Sequence, residues 1–475
     1  MLRRLHPGLL LAASLGGWCS PAPAAEGQAE VWVDASAAEG GDGSRARPLR
    51  ALGAAWQKSP AGMELEVHLA PGFYRGPFEI PARVHLSGTR TRLAVLLAEG
   101  DEVAIRPQGP VTLEGVTVQG GRVGIEGGER TRLVDVQFRG QTSSAIHLER
   151  GALESSRCQF AALTAETLGI SIEGTATVHL AQVQFVGPFR RAIELRGSAN
   201  LLIDGATVDG SVTAVHQVGG KVSISDASIS GGRGPALFSA RGETKLLRVD
   251  VFGHEYAVLA NNGASLTIKE FSSIRPERAG IALVKSSADM DGIILIANGS
   301  FGGVQLVSAV ASLRRFWIYR ADAYGIQARD SRLSLRDGAV TNVRDQTGTS
   351  GDGIQLRQSD ATIESVSVHE TQGAGLLVAE GSKARVRDLR LVHCGWAGIL
   401  SETQGEVDGS SVLAQDSQSA AVVVLGESRA DFRVLISERN QNGAFWVECQ
   451  NGARTRVWRL RTDEPGHYDR CVRGW

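Results

Sequence analysis

Acids, imidazoles and amides recur in this chain at one place in a repeating frame. Glu126, His147, Ser171, Glu194 and His216 follow one another at intervals of 21 to 24 residues, each two positions after a small residue. Two positions further on stand Glu149 and Glu173, then Arg196. If equivalent positions stack, Glu149 and Glu173 come within about 5 Å of each other. Two carboxylates that close raise one pKa or share a cation, and a Glu or His so tuned is a general acid or base for a sugar. The competing reading is a solvated polar face on which Glu, His and Arg balance charge. Further along the series come Gln305, Gln327 and Gln355, beside Arg329 and Arg357. Stacked amides bond along the stacking axis, and this structural role competes with ligand binding by Gln327 and Gln355. Next to them one interval lengthens to 28 residues and contains Asp345-Gln346-Thr347-Gly348-Thr349-Ser350-Gly351-Asp352. Insertions in repeat arrays become loops on one face. Asp345 and Asp352 are therefore candidate calcium ligands, and Tyr319 and Tyr324, one repeat earlier, are candidate sugar-stacking rings. In a calcium-dependent elimination the ion acidifies the proton beside a uronate carboxyl, and Arg329 or Arg357 removes it. The series ends in Leu377, Leu400, Val423 and Trp446, apolar where solvent is expected. That strip reads as an interface for a partner or a second copy.

The frame that positions these residues is a small residue followed by an aliphatic or aromatic one. It runs from Gly124-Ile125 to Ala444-Phe445 with a mean spacing of about 23 residues. Each pair opens a short alternating stretch, such as Gly353-Ile354-Gln355-Leu356-Arg357, which puts Ile354 and Leu356 on one side and Gln355 and Arg357 on the other. A second alternating stretch follows, as in Arg387-Asp388-Leu389-Arg390-Leu391. Helical periodicity is absent, the leucine-rich repeat pattern is missing, and propeller blades are nearly twice as long. The expected fold is all-β: a single-stranded right-handed parallel β-helix of about fifteen repeating coils. Its open ends need covers. Leu49, Leu52 and Trp56 at helical spacing predict an amphipathic capping helix over Pro48–Gln57 at the front. Cys449 and Cys471, 22 residues apart, predict a disulfide between stacked coils at the back. Cys158 replaces a valine of the repeat and reads as a buried core thiol. Cys394 falls in a turn-like segment.

Composition narrows the class. The 50 Lys and Arg nearly cancel the 51 Asp and Glu, which sets polyphosphate partners such as nucleic acid aside. Glycine, 58 of 475 residues, is well above the usual ~7% and suits short strands joined by tight turns. Arg3 and Arg4, an apolar run from Leu9 to Leu15, and Ala22-Pro23-Ala24 predict a signal peptide over 1–24 and a secreted, periplasmic or cell-surface location. Trp18 before Cys19 argues against a lipoprotein signal. No later run reaches the about 20 apolar residues of a membrane span. Residues 25–110 read as the front cap with the first coils, and 111–475 as the repeats with the end cap. Zinc-type Cys/His clusters, nucleophile elbows, phosphate loops and dinucleotide fingerprints are absent at recognisable spacing.

The front segment resembles the entry region of pectin-lyase-like right-handed β-helix proteins. Val31-Trp32-Val33-Asp34, Gly41-Asp42-Gly43-Ser44, Arg47-Pro48-Leu49 and Leu69-Ala70-Pro71-Gly72-Phe73-Tyr74 carry the resemblance. It implies the fold, whereas the superfamily's functions range from lyases, polygalacturonases and epimerases to tailspikes and adhesins. The polygalacturonase motifs Asn-Thr-Asp, Asp-Asp, Gly-His-Gly and Arg-Ile-Lys are absent as that family uses them. Arg275-Pro276-Glu277-Arg278 has the wrong spacing for a pectate-lyase motif and reads as a turn salt bridge. The leading expectation is an exported protein that binds polysaccharide or an envelope partner along its lateral face. The alternative is a pectate-lyase-like lyase, a glycoside hydrolase or a uronate epimerase.

Overall fold

The computed structural model describes residues 28–58, 63–89, 91–346, 348, 350–463 and 471–474. The expected signal segment 1–24, including Cys19, lies outside them. The chain winds as a right-handed parallel β-helix of about 17 turns, 65% strand and 2% helix. Each coil contributes to three faces. In one coil Ser144–Leu148 lies on face A, Ala152–Ser156 on face B and Gln159–Ala161 on face C. Where B and C run together, as in Thr177–Val186, one residue in the left-handed region makes the bend. Asp135, Arg157, Gln182, Asp226, Arg248 and Glu270 occupy this corner in successive coils with φ between 51° and 55°, and Gly205 takes the same place. A non-glycine residue is uncommon there. The repeated bend turns these coils from face B to face C at the same place, so that they stack in register.

The repeat motif has a steric cause. The small residue of face A points at the large core side chain sent in from face C. A Cβ on Gly169 would meet the Phe185 ring at 2.8 Å, and one on Gly353 would meet Val368 at 2.3 Å. Phe138, Phe160 and Phe185 stack inside the helix at 5.1 Å and 4.7 Å between ring centres. Offset stacks of this kind add to the burial of each ring. The aliphatic residue that follows, such as Ile146, Ile170 or Ile193, is fully buried in the same core. Three coils put a polar residue at the second inward place of face A, Gln217, Ser239 and Ser401. Gln217 takes an inward place beside Leu195. Its amide donates to the carbonyls of Gly220 and Glu243 and accepts from Ser239 and Thr244, so the buried group is satisfied.

The front cap is shorter than the expected helix. Only Leu52–Ala55 is α-helical, followed by a 3₁₀ turn at Trp56–Lys58. Leu49 instead bridges Val33 in extended form, with its N–H donated to the Trp32 carbonyl, which keeps Pro48 and Leu49 out of the helix. At the back, a disulfide joins Cys449 and Cys471 with Cα atoms 5.6 Å apart. Cys158 is buried, as is Cys394, which ends the strand Lys383–Cys394 rather than sitting in a turn; burial pushes its thiol up to about 11.

The Phe stack generates a stability prediction. Phe160→Ala should lower unfolding free energy by about 3–5 kcal/mol in denaturant titration, because the neighbouring rings cannot collapse into the gap. Leu163→Ala, at a site 80% exposed, should stay within about 0.5 kcal/mol.

Candidate functional site

Face A carries one outward column of side chains, and its register holds in every coil. Glu126, His147, Ser171, Glu194, His216, Phe238, Leu259 and Ala282 pair in turn. Gln305, Gln327, Gln355, Leu377, Leu400, Val423 and Trp446 continue the column.

The front of the column opens into a cleft of about 600 Å³. Glu126, Glu129, His147, Glu149 and Arg150 line it, with Gly127, Gly128 and Gly151 at the corner between faces A and B. These three glycines have φ between 76° and 108°, and their missing side chains keep the corner low. His147 Nε2 stands 3.9 Å from Glu149 Oε1. Glu126 accepts from Arg106 Nε at 3.2 Å and lies 3.6 Å from Arg122. Imidazole, carboxylates and guanidinium groups thus meet at a place that solvent reaches. Glu149 and Glu173 directly follow the face A strands Ser144–Leu148 and Leu168–Ile172 of neighbouring coils, with the Glu173 N–H donated to the Leu148 carbonyl at 2.7 Å.

Further along, the column closes. Glu194 is buried and accepts from both Arg191 and Arg196, the latter Nε at 2.8 Å. His216 lies flat on Phe238, 4.6 Å between ring centres. Burial, then the Arg191 charge, hold its pKa down to about 4. These groups are fixed parts of the wall, whereas His147 and Glu149 keep access to solvent.

The middle of the column is an amide ladder. Gln305 Nε2 donates to Gln327 Oε1 at 3.4 Å, Gln327 to Gln355 at 2.9 Å, and Gln355 to Asp352 Oδ2 at 3.0 Å. Asp352 also accepts from the Ala374 N–H at 2.8 Å, and its burial pushes its pKa up. Asp345 accepts from the Ser350 N–H and hydroxyl at 2.7 Å and 3.1 Å. Both carboxylates thus serve turns and the ladder, and the calcium reading of this pair finds no support in their geometry. Arg329 and Arg357 are register partners, and Arg357 donates to Glu380 at 2.6 Å. Tyr324 pairs with Asp352 on face A, whereas Tyr319 lies on face C, so the two rings do not form one platform.

The apolar end of the column corrects the expected interface. Leu377, Leu400 and Val423 are buried within the chain, in a small cluster with Ala374, Ala379, Ala397 and Ala420 that Trp396 and Leu425 pack against. Side chains from the corners cover this stretch, and only Trp446 remains exposed. The exposed apolar surface lies elsewhere. On face C, Phe252, Ile274, Ile294 and Trp317 are exposed, and Trp317 stacks with Tyr319 at 5.5 Å. Phe252, Ile274, Ile296 and Tyr319 share one register column, with Ile294 and Trp317 in the neighbouring one. The same 22-to-23-residue spacing marks them in the sequence, on a face that the small-residue motif does not flag.

No family model and no curated protein matches this chain. Solved structures with a similar chain path include the PL6 family alginate lyase AlyGC, at 10% identity and a TM-score of 0.33, covering 86% of this chain and 98% of that one. The catalytic unit of a GH87 α-1,3-glucanase from Streptomyces thermodiastaticus strain HF3-3 matches at 12% identity and a TM-score of 0.26, over 86% of this chain and 64% of the glucanase. The A-module of the Azotobacter vinelandii mannuronan C-5 epimerase AlgE6 matches at 10% identity and a TM-score of 0.25, over 87% and 94%. At these identities and scores no activity passes from those proteins to this one.

His216 provides a pH prediction. Its folded pKa of about 4 lies below the unfolded value of 6.5. Protons therefore favour the unfolded chain, and the stability present above pH 6.5 should fall as pH drops through 4. Proton NMR should place the His216 midpoint near 4, and His216→Asn should flatten that part of the stability profile.

Proposed function

We propose that this protein modifies a polysaccharide laid along the front of face A. One observation carries the reading: His147 meets Glu126 and Glu149 in a cleft at the solvent-open part of the column. Proton transfer to or from a sugar needs a base and an acid within reach of one bond, on a surface long enough to hold neighbouring sugars. The cleft supplies both kinds of group, and the parallel coils continue the surface in both directions. In this reading His147 moves the proton, Glu149 orients its imidazole, and Arg106 and Arg122 hold Glu126 in place. Elimination or epimerisation at a uronate would begin with loss of the proton beside the carboxyl; hydrolysis would use the carboxylates as acid and base or nucleophile. An exported location, extracellular or periplasmic, belongs to the same proposal. No helix among the described residues is long and apolar enough to cross a membrane.

Trp317 and Tyr319 favour a second reading, non-catalytic sugar binding on face C. The exposed Trp317 ring and the half-buried Tyr319 ring, inclined by 23°, make an apolar platform of the kind that stacks on pyranose faces.

A polysaccharide panel incubated with residues 25–475 separates the two. Shortened chains, new unsaturated-uronate absorbance or inverted uronates support the first reading. His147→Asn should then lower turnover about 10²-fold or more with an unchanged melting temperature. Unaltered polysaccharides, together with binding that Trp317→Ala abolishes, would replace it with the second.

A further inference from the structure

We propose that Glu30, Glu66 and His68 form a binding site for one divalent transition-metal ion at the front end of face B. The three donor atoms lie within 4.8 Å of one another. Glu30 and Glu66 are register partners on the strands Gln28–Val33 and Glu64–Leu69, and His68 stands two residues after Glu66 on the same outward side. Trp32, the register partner of His68, stacks on the imidazole at 4.4 Å and fixes its plane.

The hydrogen bonds behind the imidazole define what faces the carboxylates. His68 Nδ1 and Ser87 Oγ stand 2.9 Å apart, and in the tautomer in which Ser87 Oγ donates to the Val67 carbonyl at 3.4 Å, Nδ1–H is the donor between them. In neutral His68 the Nε2 atom then carries a lone pair, 3.7 Å from Glu66 Oε1. The imidazole nitrogen and the two carboxylates lie close enough for a single cation to bridge them. The backing of a ligand imidazole by a hydrogen bond on its other nitrogen is the usual way such ligands are oriented.

The donor set selects the kind of ion. An imidazole favours zinc and its first-row neighbours over magnesium or calcium. Two donors on a tetrahedral zinc, each about 2.0–2.1 Å from the metal, sit about 3.4 Å apart, so the His68–Glu66 pair is already near that separation. Glu30 is exposed and can turn inward. Two carboxylates neutralise the ion, and three protein ligands leave a fourth position for water. His85, the register partner of Glu66 on the next coil, has an Nε2 atom that is buried without a hydrogen-bond partner and stands 3.4 Å from Glu114. A bound ion would tie the first coil to the second at the open edge of the solenoid. This inference does not depend on the polysaccharide reading.

The test uses the tag-free mature chain stripped with a chelator. Zinc titration by calorimetry should show one ion per chain, saturating zinc should raise the melting temperature, and cobalt should give the visible bands of a four-coordinate ion. His68→Ala and Glu30→Gln should each weaken zinc at least about tenfold. Glu30→Gln, at an exposed position, keeps the test valid should His68→Ala misfold. No zinc uptake, or uptake unchanged in Glu30→Gln, would overturn the proposal.

Discussion

Everything in this molecule depends on the parallel backbone pairing of each coil with the next. Those hydrogen bonds do more than hold the strands. They convert a sequence spacing of about 23 residues into a spatial separation of one strand, roughly 4.8 Å. A side chain then meets its counterparts in the coils before and after it. The constraint persists because the corner between faces B and C repeats the same left-handed residue, and because the small residue of face A leaves room for the core side chain opposite. A larger anchor would collide with the core side chain opposite and with the backbone of the next coil, as a Cβ on Gly169 or Gly353 would.

Along face A the same column changes character without changing geometry. It begins with Glu126 and His147 around an open cleft that Glu149 also lines, tightens into the buried Glu194 with its two arginines, and passes through the His216–Phe238 stack. It becomes an amide ladder that ends on Asp352, and then an apolar stripe beneath Trp396 and Leu425. Most of the column therefore serves the fold. Chemistry on an external molecule has room at the front, where corner glycines replace covering side chains. This division is why a polar residue in the series is not by itself evidence of function: Gln355, Asp352 and Glu194 are as polar as His147, yet each is engaged by neighbours inside the chain.

The column was legible in the sequence because period alone determines it. Glu126 through Trp446 could be aligned residue by residue, and so could the glutamine ladder. What covers a column was not legible. Trp396 and Leu425 come from corners, which follow no fixed spacing, so Leu377, Leu400 and Val423 looked like an exposed strip. Nor was it legible that Asp345 accepts from the Ser350 N–H and Asp352 from the Ala374 N–H. The front of the chain escaped for another reason. Glu30 and Glu66 are 36 residues apart across the capping segment, outside the 23-residue frame, and only the fold makes them neighbours. The capping helix was shortened by the same region's pairing of Leu49 with Val33.

The central claim is that the open front of face A is where this protein meets its substrate. Hydrogen–deuterium exchange with and without a bound oligosaccharide tests it most directly, because the backbone amides of each coil report on all three faces separately. The account predicts slowed exchange in the face A strands and corners from Val123 to Gly151, with face C unaltered. Protection confined to Val310–Asp322 and the coils beside it on face C would contradict the claim and place the sugar on the Trp317–Tyr319 platform.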